Sequence, residues 1–162
     1  MPRRLIPFFL ALSLLGGLSQ SAFAQDIVQP QTSDGESSRQ FGPDTIHYSV
    51  LNTRFLSAQV AQAYGITRGD NKFLLNIAVR HQGEASEHAI KAKISGTSSD
   101  LIYQTPLKFR EVVEQDAIYY LAEFEVRSEE RLSFRLQVQT ATRPMPYDLQ
   151  FNKMLYPAKD GM

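Results

Sequence analysis

The chain of 162 residues carries 17 basic and 17 acidic side chains and no cysteine. This balanced charge excludes the strongly basic surface that nucleic-acid binding requires, so we expect no nucleic-acid partner. Without cysteine there is no disulfide, no thiolate zinc site and no thiol nucleophile, and a hydrophobic core has to hold the fold.

The N-terminus has the three parts of an export signal, which we place over residues 1–24. Arg3 and Arg4 form a positive region, and a mostly apolar run follows over 5–18. Ala-Phe-Ala at 22–24 then provides the small-x-small site that signal peptidase cleaves. The apolar run is shorter than the ~20 residues of a membrane-spanning helix, and no cysteine follows it for lipid attachment. We therefore predict a periplasmic protein that is neither a lipoprotein nor inserted in the membrane.

A polar stretch follows the predicted cleavage site. Residues 25–40 are rich in Gln, Ser, Asp, Gly and Thr. Such a stretch buries too little apolar surface to offset the entropy lost on ordering. We therefore predict a flexible spacer over 25–40, a single folded domain over 41–157 and a disordered tail over 158–162.

Most of the remaining chain alternates apolar and polar residues, the pattern of strands with one buried face. The clearest run extends from Leu132 to Val138, where every second residue is apolar. The same alternation marks 46–50, 73–80, 90–94, 118–126 and 147–151. Weaker strand candidates at 101–105 and 107–113 are separated by Pro106, which favours an edge strand or a bend.

One segment departs from this alternation. Ser57 is suited to cap a short helix over 58–64, and Gly65 is suited to end it. We expect this helix to cross one end of the sheets. About seven or eight short strands with one apolar and one polar face predict an all-β fold. We expect the architecture to be an antiparallel β-sandwich of immunoglobulin-like type, and a closed barrel is the alternative.

The best local candidate for metal chemistry is the turn at 81–88. His81 and His88 would face each other across a hairpin, with Glu84 and Glu87 between them. Imidazole and carboxylate side chains suit zinc and copper, so this hairpin supports an alternative function as a small-ligand or metal-binding protein. A solvated polar turn is the competing interpretation, and we predict no cofactor.

Apolar residues also fall on a nominally polar strand face. Tyr119 and Leu121 stand there beside two glutamates, in the run 118–126. An apolar patch on such a face indicates either a covering element or a binding partner. The short helix over 58–64 is one candidate cover, and an envelope protein is the other.

Sequence motifs for catalysis are missing. The chain contains no nucleophile elbow, no zinc-protease motif, no Walker loop and no dinucleotide fingerprint. A Ser-His-Asp triad stays open because its members are adjacent only in space, so a hydrolase of unrecognised type is a further alternative. We predict a non-catalytic protein.

Two segments resemble a known family. They are HYSVLNTRFL at 47–56 and AYGITRGDNK at 63–72, the latter with the LLNIAV that follows at 74–79. Over roughly 41–156 the chain is similar to a family of uncharacterised exported gammaproteobacterial proteins, domain of unknown function 4426. The resemblance implies a periplasmic, sandwich-like domain and no established activity, and it carries over no catalytic residue.

The most specific part of this resemblance places charged and polar residues in a loop after the helix. Loops held by a rigid scaffold often carry binding residues. Pairing of Arg68 with a carboxylate, which would lock the loop, is the competing interpretation. We predict a binding or accessory module for an unidentified envelope protein. Its predicted binding residues are Tyr64, Arg68, Asn71, Lys72, Tyr119 and Leu121.

Overall fold

The computed structural model of the protein describes residues 37–100 and 102–158. Within them, ten strands form two antiparallel sheets. The strands are β1 (Ser38–Phe41), β2 (Asp44–Asn52), β3 (Lys72–Gln82), β4 (Glu87–Ala89), β5 (Ala92–Ser99), β6 (Gln104–Pro106), β7 (Arg110–Glu114), β8 (Ala117–Glu125), β9 (Glu130–Thr140) and β10 (Tyr147–Leu155). A 3₁₀ turn (Thr53–Phe55) and the helix α1 (Ala58–Ala63) lie between β2 and β3. The predicted all-β sandwich is confirmed.

The larger sheet has six strands, in the order β1-β2-β3-β8-β7 with β4 paired to β3. The smaller sheet has four strands, in the order β10-β9-β5-β6. Because side chains alternate along each strand, one apolar face of each sheet turns inward and the two faces form the core. Leu75 and Ile77 from the larger sheet and Leu136 and Leu149 from the smaller one are completely buried there.

A chain of aromatic rings crosses this core and joins the two sheets. Phe73 stacks on Phe124, and Phe124 meets Phe134 edge-on at 5.6 Å between ring centroids. Phe134 stacks on Phe151 at 4.8 Å, and Phe151 stacks on Tyr48 at 4.4 Å. Aromatic side chains bury large areas, so this row of rings stabilises a domain that has no cysteine for a disulfide.

The helix α1 forms as predicted and covers part of the outer face of the larger sheet. Ser57 Oγ accepts a hydrogen bond from Val60 N at 3.1 Å, and Gly65 follows the helix with a φ of 60°. Beneath the helix, Leu74 and Leu121 form a second buried cluster with residues of α1 and its flanks. In the part of the chain that the structure describes, no helix is long and apolar enough to cross a membrane.

The folded domain begins and ends slightly outside its predicted bounds. The prediction of a spacer over 25–40 is wrong for its last residues, because β1 pairs with β2 from Ser38 onwards. Backbone hydrogen bonds hold this edge strand in place. Its residues are mostly polar, so the sequence shows no apolar alternation from which the strand could be predicted. At the other end, Ala158 N donates to the carbonyl of Asp70 at 2.9 Å. The predicted signal peptide at 1–24, the spacer up to residue 36 and the tail after 158 lie outside the described residues.

Candidate functional site

The charged side chains of the predicted binding loop, residues 64–72, bond to the domain itself. Arg68 donates from Nη2 to the carbonyl oxygen of Arg54 at 3.0 Å. Lys72 Nζ lies 2.8 Å from Glu125 Oε1 on the neighbouring strand. Arg68 therefore fastens the loop, which agrees with the structural interpretation except that its partner is a carbonyl and not a carboxylate.

Hydrogen bonds to its backbone atoms also anchor the same loop. The hydroxyl of the buried Thr53 donates to the carbonyl of Thr67 at 3.0 Å and accepts from Gly69 N at 3.1 Å. Asn71 accepts a hydrogen bond at its carbonyl from Val126 N at 2.9 Å. The loop is a junction that joins the 3₁₀ turn to the sheet.

Tyr64 and Leu121 pack in the second cluster, next to α1. The Tyr64 hydroxyl bonds to the Glu114 carboxylate. Burial, that hydrogen bond and the charge of Glu114 raise the pKa of Tyr64 to about 12. Leu121 is only 2% exposed. The prediction that Leu121 contacts a partner is wrong, because the chain's own helix covers it.

The two histidines of the predicted hairpin do face each other. β4 pairs with β3 so that His81 lies opposite His88, with their ring centroids 5.6 Å apart. His81 Nδ1 lies 2.5 Å from Asp44 Oδ1, and Glu87 pairs with Arg80. Across residues 37–100 and 102–158, no group of three or more His, Asp or Glu side chains could hold a metal ion. The hairpin geometry therefore favours ion pairing over the proposed metal ligation.

Asp44 is a fully buried carboxylate that ties the two sheets together. Its Oδ2 accepts hydrogen bonds from Thr142 Oγ1 at 2.7 Å and from the Tyr147 hydroxyl at 2.8 Å. Burial raises the pKa of Asp44, but the hydrogen bonds from His81, Thr142 and Tyr147 and the charge of His81 outweigh burial and hold it below the ordinary value. Asp44 therefore works as a structural cross-link in a chain without disulfides.

The outer face of the larger sheet also carries an open pocket of about 290 Å³. The residues with outward-facing positions that line it are His47 and Ser49 of β2, Asn76, Ala78 and Arg80 of β3, Ala89 of β4, and Ala117 and Tyr119 of β8. The helix α1 covers the other part of this face, which leaves the pocket open. Of the predicted binding residues, Tyr119 lines the pocket, and Tyr64, Arg68, Asn71, Lys72 and Leu121 do not.

Asn76 is the residue that sequence reasoning missed. It is 5% exposed, and its Oδ1 accepts no hydrogen bond from any described part of the protein. Buried polar atoms of folded proteins nearly always have a partner, because an unmet one costs about 1–3 kcal/mol. In the sequence, the sign that could have identified this residue is a single amide within the apolar run FLLNIAV at 73–79. A polar group kept at a cost to stability is typical of a functional position.

Two further polar groups of the pocket are available to a ligand. The Arg80 guanidinium donates through Nε and Nη2 to Glu87, and its other N–H groups have no partner in the described chain. Burial and the charge of Glu114 raise the pKa of Tyr119, although the charge of Arg80 lowers it. The Tyr119 hydroxyl therefore stays protonated at neutral pH and can donate a hydrogen bond.

Fold and site together define an antiparallel β-sandwich with an open polar-edged pocket on one outer sheet face. The chain belongs to the family described as domain of unknown function (DUF4426), whose model matches residues 38–158. A crystal structure of a DUF4426 family protein from Pseudomonas aeruginosa PAO1 is similar to it. The two share 33% sequence identity with a TM-score of 0.66, over 77% of this chain and 98% of that chain. No curated protein matches the sequence. The resemblance found in the sequence is confirmed, and the family assigns no activity.

Proposed function

We propose that the protein is exported to the periplasm and acts there as a non-catalytic binding protein whose binding site is the outer-face pocket. Export is supported by the basic, apolar and Ala-Phe-Ala parts of residues 1–24. Binding is supported by one observation above the others. Asn76 is buried at an open pocket with an amide oxygen that accepts no hydrogen bond from the described chain.

The pocket favours a small ligand over the predicted contact with an envelope protein. A concave site of about 300 Å³ with a few convergent polar groups is typical of small-molecule binding. Arg68 and Lys72, the charged residues expected to contact a protein partner, bond within the domain. Leu121, which would have supplied apolar contact area, lies under α1. The small ligand is therefore the better-supported occupant.

The composition of the pocket also favours binding over catalysis. His47 and Ser49 both line it, and serine and histidine are two of the three members of a hydrolytic triad. No carboxylate belongs to the described residues that line the pocket, so the group that would orient the histidine is missing there. Asp44, the buried carboxylate of the domain, is bonded to His81 instead.

Native mass spectrometry of the protein purified from the periplasmic fraction of expressing cells tests both parts. We expect a chain that begins at Gln25, with an added non-covalent mass that disappears on denaturation. Ala78→Leu fills the pocket and should remove this added mass. Ala63→Leu, at an exposed position of α1, is the matched control and should keep it. An unprocessed cytoplasmic chain contradicts export, and equal native and denatured masses for the parent contradict binding.

A further inference from the structure

Strand β3 places three chemically different side chains in a row along the floor of the pocket. Asn76, Ala78 and Arg80 are alternate residues of this strand, and all three line the pocket. Alternate residues of a strand lie about 7 Å apart on one face, so the backbone positions of Asn76 and Arg80 are about 13 Å apart. The row therefore has a hydrogen-bond acceptor at one end, a methyl group in the middle and a cation at the other end.

The acceptor end requires a donor from outside the described chain. Asn76 pairs with Ser49 on one side and with Leu121 on the other, and its Oδ1 accepts a hydrogen bond from neither. This oxygen is itself buried, so a ligand O–H or N–H makes the missing hydrogen bond when the Asn76 amide turns toward the pocket that it lines. A site built to accept a hydrogen bond from its ligand rejects analogues that lack the donor, because the buried polar atom of the site is then left unpaired.

The middle of the pocket suits a flat apolar group. Ala78, Ala89 and Ala117 line it with methyl groups only, so the space above the sheet stays open. Tyr119 lines the same space with an aromatic ring. A ligand ring that lies over the alanines can pack against this tyrosine in an offset or edge-on arrangement.

The cationic end favours an anion. The guanidinium of Arg80 lies at this end, and no carboxylate lines the pocket among the described residues. Glu87 occupies only part of the guanidinium, which keeps further N–H donors available. A planar carboxylate matches the fork geometry of these donors.

Given the proposed binding function, we infer that the pocket selects a small carboxylic acid with a flat apolar body and an O–H or N–H donor at its far end. The carboxylate meets Arg80, the body lies over Ala78, and the donor reaches Asn76. The order of the three groups along the ligand follows the order of these residues along β3.

Calorimetric titration of the exported protein with three related probes tests this inference. para-Hydroxyphenylpropionate carries all three features, phenylpropionate lacks the O–H donor, and para-hydroxyphenylpropionamide lacks the negative charge. We expect the first probe to bind at least tenfold more tightly than either of the others. Equal affinities for the three probes would overturn the inference.

Variants assign each preference to its residue. Asn76→Leu should abolish the difference between para-hydroxyphenylpropionate and phenylpropionate, and Arg80→Gln should abolish the difference between the acid and its amide. Ala63→Leu should change neither. If no probe binds but the purified protein carries a native ligand, the carboxylic-acid inference fails and the proposed binding function stands. If no probe binds and no ligand is carried, both fail.

Discussion

The unmet amide of Asn76 predicts that a core substitution will stabilise this domain. Most substitutions of buried residues destabilise. Asn76→Leu should do the opposite, because it removes a buried oxygen without a hydrogen bond and leaves a side chain of similar length. Its cross-strand neighbour Leu121 belongs to the apolar cluster under α1, so the new leucine extends an existing apolar surface.

The size of the effect follows from the cost of the unmet group. An unsatisfied buried acceptor costs about 1–3 kcal/mol, so Asn76→Leu should raise the free energy of unfolding by about that amount. For a domain of this size, each kcal/mol corresponds to a rise in Tm of roughly 4 °C. Asn152→Leu is the matched control. Asn152 is an exposed strand residue whose amide oxygen already accepts from Ser133 Oγ, so its replacement should not stabilise.

Urea denaturation followed by circular dichroism measures the effect on protein refolded from urea, which removes any bound ligand. We expect a higher midpoint for Asn76→Leu with an unchanged m-value, and no increase for Asn152→Leu. A loss of about 1 kcal/mol or more in Asn76→Leu would refute the reasoning. It would mean that the Asn76 amide has a partner in solution and that its burial is no sign of a ligand.

Two other predictions concern the framework of the domain. The folded-state pKa of Asp44 is lowered, so its contribution to stability is present above the unfolded value near 3.8 and is lost as pH falls through the folded value. Asp44→Asn should therefore cost about 3–5 kcal/mol at neutral pH and progressively less below about pH 4, as urea denaturation across this range will show. An equal cost at all pH values would contradict the charged cross-link. Gly96→Ala should destabilise by about 1–3 kcal/mol in thermal denaturation, because a Cβ there would come under 3.0 Å from the backbone of Arg135 and Leu136. Ser95→Ala, one residue away, is the control, and similar Tm values for the two variants would refute the clash.

Long strands with one buried face were predictable from the sequence, and short edge strands were not. The alternation of 132–138 identifies β9 because its apolar residues must turn inward to fill the core. β1 and β4 are short and mostly polar, so their pairing depends on the strands beside them. The alternation of apolar and polar residues shows which face of a strand is buried, but it does not show which strands pair. The order of the strands therefore had to come from the structure.

The candidate site was only partly predictable for a similar physical reason. The sequence identified Tyr119 on the outer face, but it did not show that α1 covers Leu121 and leaves Tyr119 beside an open pocket. The alternation at 73–80 places Asn76 on the face opposite Phe73 and Leu75, and an amide on that face is unremarkable until its burial without a hydrogen-bond partner is known. Asp44 bonds to Tyr147, which lies 103 positions further along the chain. A local sequence pattern cannot reveal a contact between residues so far apart.

The most direct test of ligand binding at the pocket is a ¹⁵N–¹H NMR titration of the Asn side-chain amides with para-hydroxyphenylpropionate. We expect the Asn76 amide pair to shift saturably with the added acid, while the Asn152 pair on the exposed face of β10 stays in place. The backbone amides of Ala78 and Tyr119 should shift with the same affinity. Shifts confined to the loop at 64–72 or to the hairpin of His81 and His88 would contradict the pocket as the binding site, and no shifts at all would contradict the inference that it takes a carboxylic acid.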